Sequence, residues 1–366
     1  MASIELRGIS KRFDAVVAVN RLSIDLREGE LVALLGPSGC GKTTTLRMIA
    51  GFETPNEGEI FFGDTEVSTL PPERRNAGMV FQNYALFPHL SVFENVAYGL
   101  KMRKVAKAEI ERRVSEILSK MQLSELRDRR PRQLSGGQQQ RTALARALVI
   151  NPAALLLDEP LANLDAKLRE EMRFFIRSLQ QEFGITTVYV THDQSEALVL
   201  ADRIAVMMGG VLQQLSAPED IYRRPRTAQV ADFIGLTNLI PGTVTERSGE
   251  TLQVDTPVGL LLAKGVDGLR AGDPGLVSIR PEYLYFDETA AHLNAKGLMD
   301  SLNRVHGVIQ ERSYLGNLID YRVEIAGRQT LRVQSGPEHR YGVGDDVTLT
   351  FSGDDAWVVS EEGGTP

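Results

Sequence analysis

Residues 36–43 read Gly-Pro-Ser-Gly-Cys-Gly-Lys-Thr, directly after the apolar run Leu31-Val32-Ala33-Leu34-Leu35 and directly before a helix-forming stretch. A buried strand feeding a glycine-rich turn that opens a helix is the setting in which the spacing G-x-x-x-x-G-K-[ST] cradles phosphate. Gly36, Gly39 and Gly41 let the backbone bend so that successive N–H groups converge on phosphate oxygens, with Pro37, Ser38 and Cys40 between them. Lys42 adds a point charge for the outer phosphates, and the Thr43 hydroxyl, followed by Thr44, is placed to ligate Mg²⁺. The helix expected from about Lys42 to Ala50 aims its positive end at the same anion. A strand–turn–helix corner with an incidental lysine is the plainer alternative, and the two flanks argue against it.

Short apolar runs recur at Leu31–Leu35, Gly78–Phe81, Ala154–Leu157, Thr187–Val190 and Ile204–Met208, separated by helical stretches. Such near-continuous runs suit parallel strands buried on both faces, in a sheet whose ligands bind at the carboxyl edge. Gln82, Asp158, Glu159 and His192 all follow such runs and are expected at that edge. Asp158, ending Leu155-Leu156-Leu157, is suited to the Mg²⁺ shell, and Glu159 to polarising an attacking water as general base. His192 is placed to contact the outer phosphate and hold that water, while Gln82 offers a carbonyl oxygen to Mg²⁺ or water. Each alone reads as an ordinary polar residue at a strand end.

A second phosphate binder, Leu134-Ser135-Gly136-Gly137-Gln138, opens a helix running to about Ile150. Ser135 is suited to cap it, and Gly136 and Gly137 bare their N–H groups. One nucleotide hardly needs two anion-binding helix ends from one domain. A head-to-tail pair of chains, each closing the other's nucleotide, uses both. Between about residues 84 and 150 the strand pattern lapses into a helical insertion, with Ile110, Val114, Ile117, Leu118 and Met121 on one helical face.

The chain of 366 residues is long enough for two or more domains. After Gly235 the pattern changes to short alternating strands. Residues 242–248 (GTVTERS) echo residues 307–313 (GVIQERS), and Ala271-Gly272-Asp273 echoes Val343-Gly344-Asp345, as two copies of a small β-barrel would. Residues 236–366 carry 11 Lys/Arg against 19 Asp/Glu, which argues against nucleic acid as their partner. The single cysteine, Cys40, leaves no intrachain disulfide. With no membrane-length apolar run and no signal-peptide core at the start, a soluble subunit tied to a membrane only through another protein is expected.

With these motifs in this order, residues 3–235 resemble the ATP-binding subunit of an ATP-binding cassette (ABC) transporter. The resemblance implies an α/β P-loop NTPase domain over residues 1–235 with a helical subdomain at about 84–150. An all-β domain of two small OB-like barrels would follow over 236–366. It implies ATP and Mg²⁺ as cofactors, Phe13 stacking on adenine, Asp165 in a loop crossing a dimer interface, and residues 134–138 facing the other subunit's γ-phosphate. Phe13 stands where tyrosine is usual, and Ala162 where serine is usual. The segments Asp232–Val244 and Ser278–Glu282 resemble the C-terminal extension of importers for sugars, polyamines, iron(III) and oxyanions. Gly51-Phe52-Glu53-Thr54-Pro55 and Val92–Ala97 are most similar to spermidine/putrescine-type members. The implied assembly is a homodimer on the cytoplasmic face of the membrane, docked on permease subunits through residues 82–92 and Phe93, with Tyr84, Leu86 and Phe87 included. An extracytoplasmic solute-binding protein would supply the cargo. Two other readings are a soluble cassette protein of translation or DNA repair, and a sensor role for the C-terminal barrels.

Overall fold

A computed structural model of the chain describes residues 2–287, 302–338 and 341–360. They form two compact units, Met1–Pro218 and Glu219–Pro366, each with its own hydrophobic core. The first unit opens with β1 (Ile4–Phe13), β2 (Val16–Leu26), β3 (Leu31–Leu35) and α1 (Lys42–Ala50). It continues through β4 (Glu57–Phe62), β5 (Thr65–Glu66) and β6 (Ala77–Val80) to α2 (Val92–Met102), α3 (Lys107–Lys120) and α4 (Gly136–Leu148). Then come β7 (Ala154–Asp158), α5 (Ala166–Phe183), β8 (Thr186–Thr191), α6 (Gln194–Leu200), β9 (Arg203–Met208) and β10 (Val211–Ser216).

The central sheet has the order β10-β9-β3-β8-β7-β6, parallel except for the edge strand β10. Every residue of β3, β7 and β8 is buried, which is why their sequences are continuous apolar or threonine-bearing runs with no polar alternation. Each expected strand lies within a residue of its observed ends. The antiparallel sheet β2-β1-β4-β5 had no clear sequence signal. Register shifts interrupt the β1–β2 pairing three times, and each shift breaks the alternation that reveals a strand. In the helical insertion, Ile110, Val114, Ile117 and Leu118 of α3 and the following Met121 are buried together, as their spacing implies.

The second unit comprises α7 (Pro218–Arg223), α8 (Ala228–Phe233), and the strands β11 (Asn238–Ser248), β12 (Thr251–Thr256), β13 (Gly259–Gly265), β14 (Pro274–Ile279) and β15 (Tyr285–Phe286). It ends with β16 (Leu302–Tyr314), β17 (Ile319–Ile325), β18 (Thr330–Ser335), β19 (Asp346–Ser352) and β20 (Ala356–Val359). Residues 219–235 pack with this unit, upstream of the pattern change at Gly235. The buried Arg280 guanidinium donates to Tyr222 O (2.9 Å), Ala231 O (2.9 Å) and Leu236 O (3.0 Å), and Trp357 Nε1 donates to Pro225 O (3.0 Å). The pattern change marks where strands begin; the packing boundary lies earlier because two short helices seal one side of the β structure.

The internal echo is structural. β11 is bulged between Val244 and Glu246, and β16 between Ile309 and Glu311, at the same offset from Gly242 and Gly307. Gly272 N donates to Val244 O (2.7 Å) and Val244 N to Asp273 O (3.0 Å). In the second copy Gly344 N donates to Ile309 O (2.8 Å) and Ile309 N to Asp345 O (3.1 Å). The copies also exchange strands. β20 closes the first as the barrel β11-β12-β13-β20-β14, and β15 joins the second as the sheet β15-β19-β16-β17-β18.

Candidate active site

The carboxyl ends of β3, β8, β7 and β6 lie side by side in the parallel sheet and bring residues 36–43, 192, 158–159 and 82 to one edge. In the loop, Pro37, Ser38 and Gly39 form an exposed crest, while Gly36, Cys40, Gly41 and Lys42 are buried. Two glycines are demanded by space. A Cβ on Gly36 would lie 2.1 Å from Met207 O, and one on Gly41, at φ 100°, would lie 2.4 Å from Ala18 O. The second approach holds the β1–β2 hairpin, which carries Phe13, against the loop. Lys42 Nζ donates to Gly36 O (2.7 Å) and Pro37 O (3.0 Å). An ammonium has three N–H groups, so the third is left with only the weak acceptor Cys40 Sγ at 3.7 Å.

Beside the loop, Thr43 Oγ1 donates to Asp158 Oδ1 (3.2 Å). Burial pushes the Asp158 carboxyl upward from the ordinary aspartate range, and the Thr43 hydrogen bond opposes that shift. The next residue, Glu159, has φ 44°, a left-handed conformation that costs a non-glycine residue about 1–3 kcal/mol. Its N–H is fixed on Val190 O (3.0 Å). Its carboxylate is held from two sides: Gln82 Nε2 donates to Oε2 (3.2 Å), and His192 Nδ1 lies 3.2 Å from Oε1. Gln82 uses one of its two amide N–H groups here, and its carbonyl oxygen is an acceptor for water or metal. Asn163 Nδ2 in turn donates to Gln82 O (2.8 Å).

At the start of α4, Ser135 and Gln138 form a reciprocal capping box. Ser135 Oγ accepts from Gln138 N (3.4 Å), and Gln138 Oε1 accepts from Ser135 N (2.9 Å). Gly136 and Gly137 sit against Leu164 and Leu168, since a Cβ on either would come within 3.1 Å of those side chains. Asp165 Oδ1 accepts from Leu168 N (3.0 Å), making Asp165 the cap of α5.

Phe13 stands at the end of β1, 43% exposed, with Lys11 Nζ 5.0 Å from its ring centre. Among the aromatics expected on a docking surface, Tyr84 is 5% exposed and belongs to the core. It and Ala85 both have positive φ, and Arg146 of α4 secures their carbonyls (2.8 and 2.7 Å), turning the Tyr84 ring inward. Phe87 is half-buried, with its ring 4.6 Å from that of Tyr98. Sequence reasoning assigned no role to Arg169, Tyr189, Thr191, Asp193 or Glu196, which form a linked polar network beside the His192 turn. Thr191 and Asp193 flank His192 in the sequence, a signal available in retrospect; Arg169 carried none.

The ABC transporter family matches residues 19–162, and the TOBE domain family matches residues 277–359. A spermidine/putrescine import ATP-binding protein, PotA, from Frankia alni is 46% identical over 98% of this chain and 80% of its own length. The chain belongs to the ABC transporter family. It is an ATP-binding import-type subunit, of the class whose ATPase is coupled to transport, carrying a C-terminal TOBE domain. An Fe(3+) ions import ATP-binding protein, FbpC, from Fusobacterium nucleatum is 50% identical over 82% of this chain and 80% of its own length. A solved dimeric cassette, MJ0796 in a post-hydrolysis state bound to ADP and Pi, is 33% identical with a TM-score of 0.53, covering 59% of this chain and 98% of its own. Among the described residues no helix is long and apolar enough to cross a membrane.

Proposed function

We propose that the chain hydrolyses ATP as one of two identical subunits and drives solute import through a membrane permease. The observation that carries this reading is the Glu159 carboxylate, held between Gln82 and His192 at the strand edge that also bears the phosphate loop. ATP lies with its phosphates in residues 36–43, Lys42 on the outer phosphates and Phe13 against the adenine. Glu159 accepts a proton from the attacking water, while His192 and Gln82 hold carboxylate and water in line. The Thr43 hydroxyl, the Asp158 carboxylate and the Gln82 carbonyl are the hard oxygen donors that Mg²⁺ takes. Among the described residues no cluster of three acidic, histidine or cysteine side chains could hold a metal. Mg²⁺ needs no such cluster: held by the Thr43, Asp158 and Gln82 oxygens, with phosphate and water completing its shell, it would neutralise phosphate charge.

A second copy supplies Ser135–Gln138 and Asp165 to complete the site, and the dimeric solved relative supports that arrangement. Polyamine is the cargo suggested by the Frankia alni relative, a spermidine/putrescine import protein; the Fusobacterium nucleatum relative favours iron(III) as the second reading. The subunit sits peripherally on the cytoplasmic face, and an extracytoplasmic solute-binding protein delivers cargo to the permease. Glu159→Gln should bind ATP with wild-type affinity, lose turnover and accumulate as an ATP-dependent dimer in light scattering. Turnover at the wild-type rate would remove Glu159 from the chemistry. ATPase stimulation of the permease complex by a spermidine-loaded or an iron(III)-loaded binding protein distinguishes the two cargoes.

A further inference from the structure

Arg169, in the first turn of α5, reaches across to the turn that carries His192. Its Nη2 donates to Leu164 O (3.0 Å), in the loop just before Asp165. Its Nη1 lies 3.8 Å from Asp193 Oδ2, and its Nε lies 4.0 Å from Glu196 Oε1. The Nε atom is buried and has no hydrogen-bond partner among the described residues. Arg173, one turn further along α5, faces the same Asp193 Oδ2 at 3.7 Å.

The groups it faces build the His192 turn. Asp193 Oδ1 accepts from Ser195 N (2.9 Å) and Glu196 N (3.2 Å), capping α6. Asp193 N donates to Thr191 Oγ1 (2.9 Å), which fixes His192 between two tethered neighbours. Glu196 is 4% exposed and accepts from Tyr189 Oη and Thr191 Oγ1, both at 2.8 Å. A small polar cavity of about 50 Å³ separates this network from the active site, lined by Glu159, Ala162, Arg169, His192, Asp193 and Glu196. A buried carboxylate with two donors and a facing guanidinium is costly to desolvate, and such a network is strongly specified in geometry.

We propose that Arg169 is a positioning residue, tying residues 162–165 to the His192 turn through Asp193 and Glu196 and thereby holding His192 against Glu159. The loop it ties ends at Asp165, which caps the helix that packs on Gly137, so a displacement of that loop is transmitted to the imidazole. Lysine cannot take over fully. A single ammonium lacks the fork that addresses a backbone carbonyl and two carboxylates at once.

This inference rests on the reading of Glu159 and His192 as the hydrolytic pair, and its test is separable from that reading. In the full-length chain, the ring resonances of the five histidines are compared between wild type, Arg169→Ala and Arg169→Lys, with His192 assigned by its loss in His192→Gln. The His192 resonance should move in Arg169→Ala and move less in Arg169→Lys, with the other histidines in place. In parallel, kcat should fall about tenfold in Arg169→Ala, the scale of a lost charge-assisted hydrogen bond, with KM for ATP unchanged and part of kcat recovered in Arg169→Lys. An unmoved His192 resonance in the folded Arg169→Lys and Arg169→Ala chains overturns the proposal, as does a kcat equal to wild type. If Arg169→Ala fails to fold, the lysine variant decides by the same criteria. A wild-type chain without ATPase activity would refute the functional reading and leave the resonance shift readable.

Discussion

Two glycine-rich helix starts in the same unit are satisfied to different degrees by the chain itself. The first, at α1, has no side-chain cap: its preceding residue is Gly41 in a left-handed conformation, and the nearby ammonium of Lys42 retains an N–H with only a thiol beside it. The second, at α4, is closed by the Ser135–Gln138 box, with its glycines packed on Leu164 and Leu168. An uncapped end next to a cation is poised for an anion bound within this chain. A capped end is a finished surface, stable alone and suited to meeting something presented from outside. On the proposed dimeric reading, the contrast gives a reason for both: one end would stay unsatisfied until ATP arrives, and the other would not depend on ATP to fold.

Four substitutions press on that contrast, the strongest first. Lys42→Ala should lower kcat/KM for ATP by about 10²–10³-fold, the scale of removing one donor aimed at developing anionic charge. A steady-state ATPase titration measures it, and a loss below tenfold would mean the open end is not the anchoring one. Next, Gly41→Ala should destabilise the fold by about 1–3 kcal/mol in urea denaturation, because its φ and its approach to Ala18 O leave no room for a Cβ. Gly137→Ala should cost less, since only the flexible ends of Leu168 must yield. Equal costs would erase the difference between the two starts. Smallest of all, Ser135→Ala should remove about 1 kcal/mol of stability by the same assay. It should leave ATP binding to the isolated chain untouched while slowing turnover, as a fluorescent-nucleotide titration beside the ATPase assay would show. Weakened binding in the monomer would place Ser135 in its own chain's site.

Much of this arrangement was legible in the order of residues. Buried parallel strands advertise themselves as unbroken apolar runs, and the loop at 36–43, the carboxylates at 158–159 and His192 each announce themselves directly after one. The antiparallel sheet was illegible because bulges scramble its period, and the packing boundary at Pro218 was hidden because no composition change accompanies it. The duplicated β unit lay between these cases: a faint echo of seven residues in the sequence, matched in space by the same bulge and the same pair of backbone hydrogen bonds.

By itself, then, the sequence determined which chemical groups the chain carries and which local backbone each prefers, because strand period, glycine placement and helix capping act over a few residues. Only the tertiary structure decided which of those groups meet. Gln82, Glu159 and His192 follow three different strands, and their contact depends on the order β8-β7-β6, which no local pattern encodes. The same holds for Arg169, whose partners Asp193 and Glu196 are reached only once α5 has docked beside α6. Charge and hydrogen bonding act through space at a few ångströms, whereas sequence patterns report only neighbours along the chain.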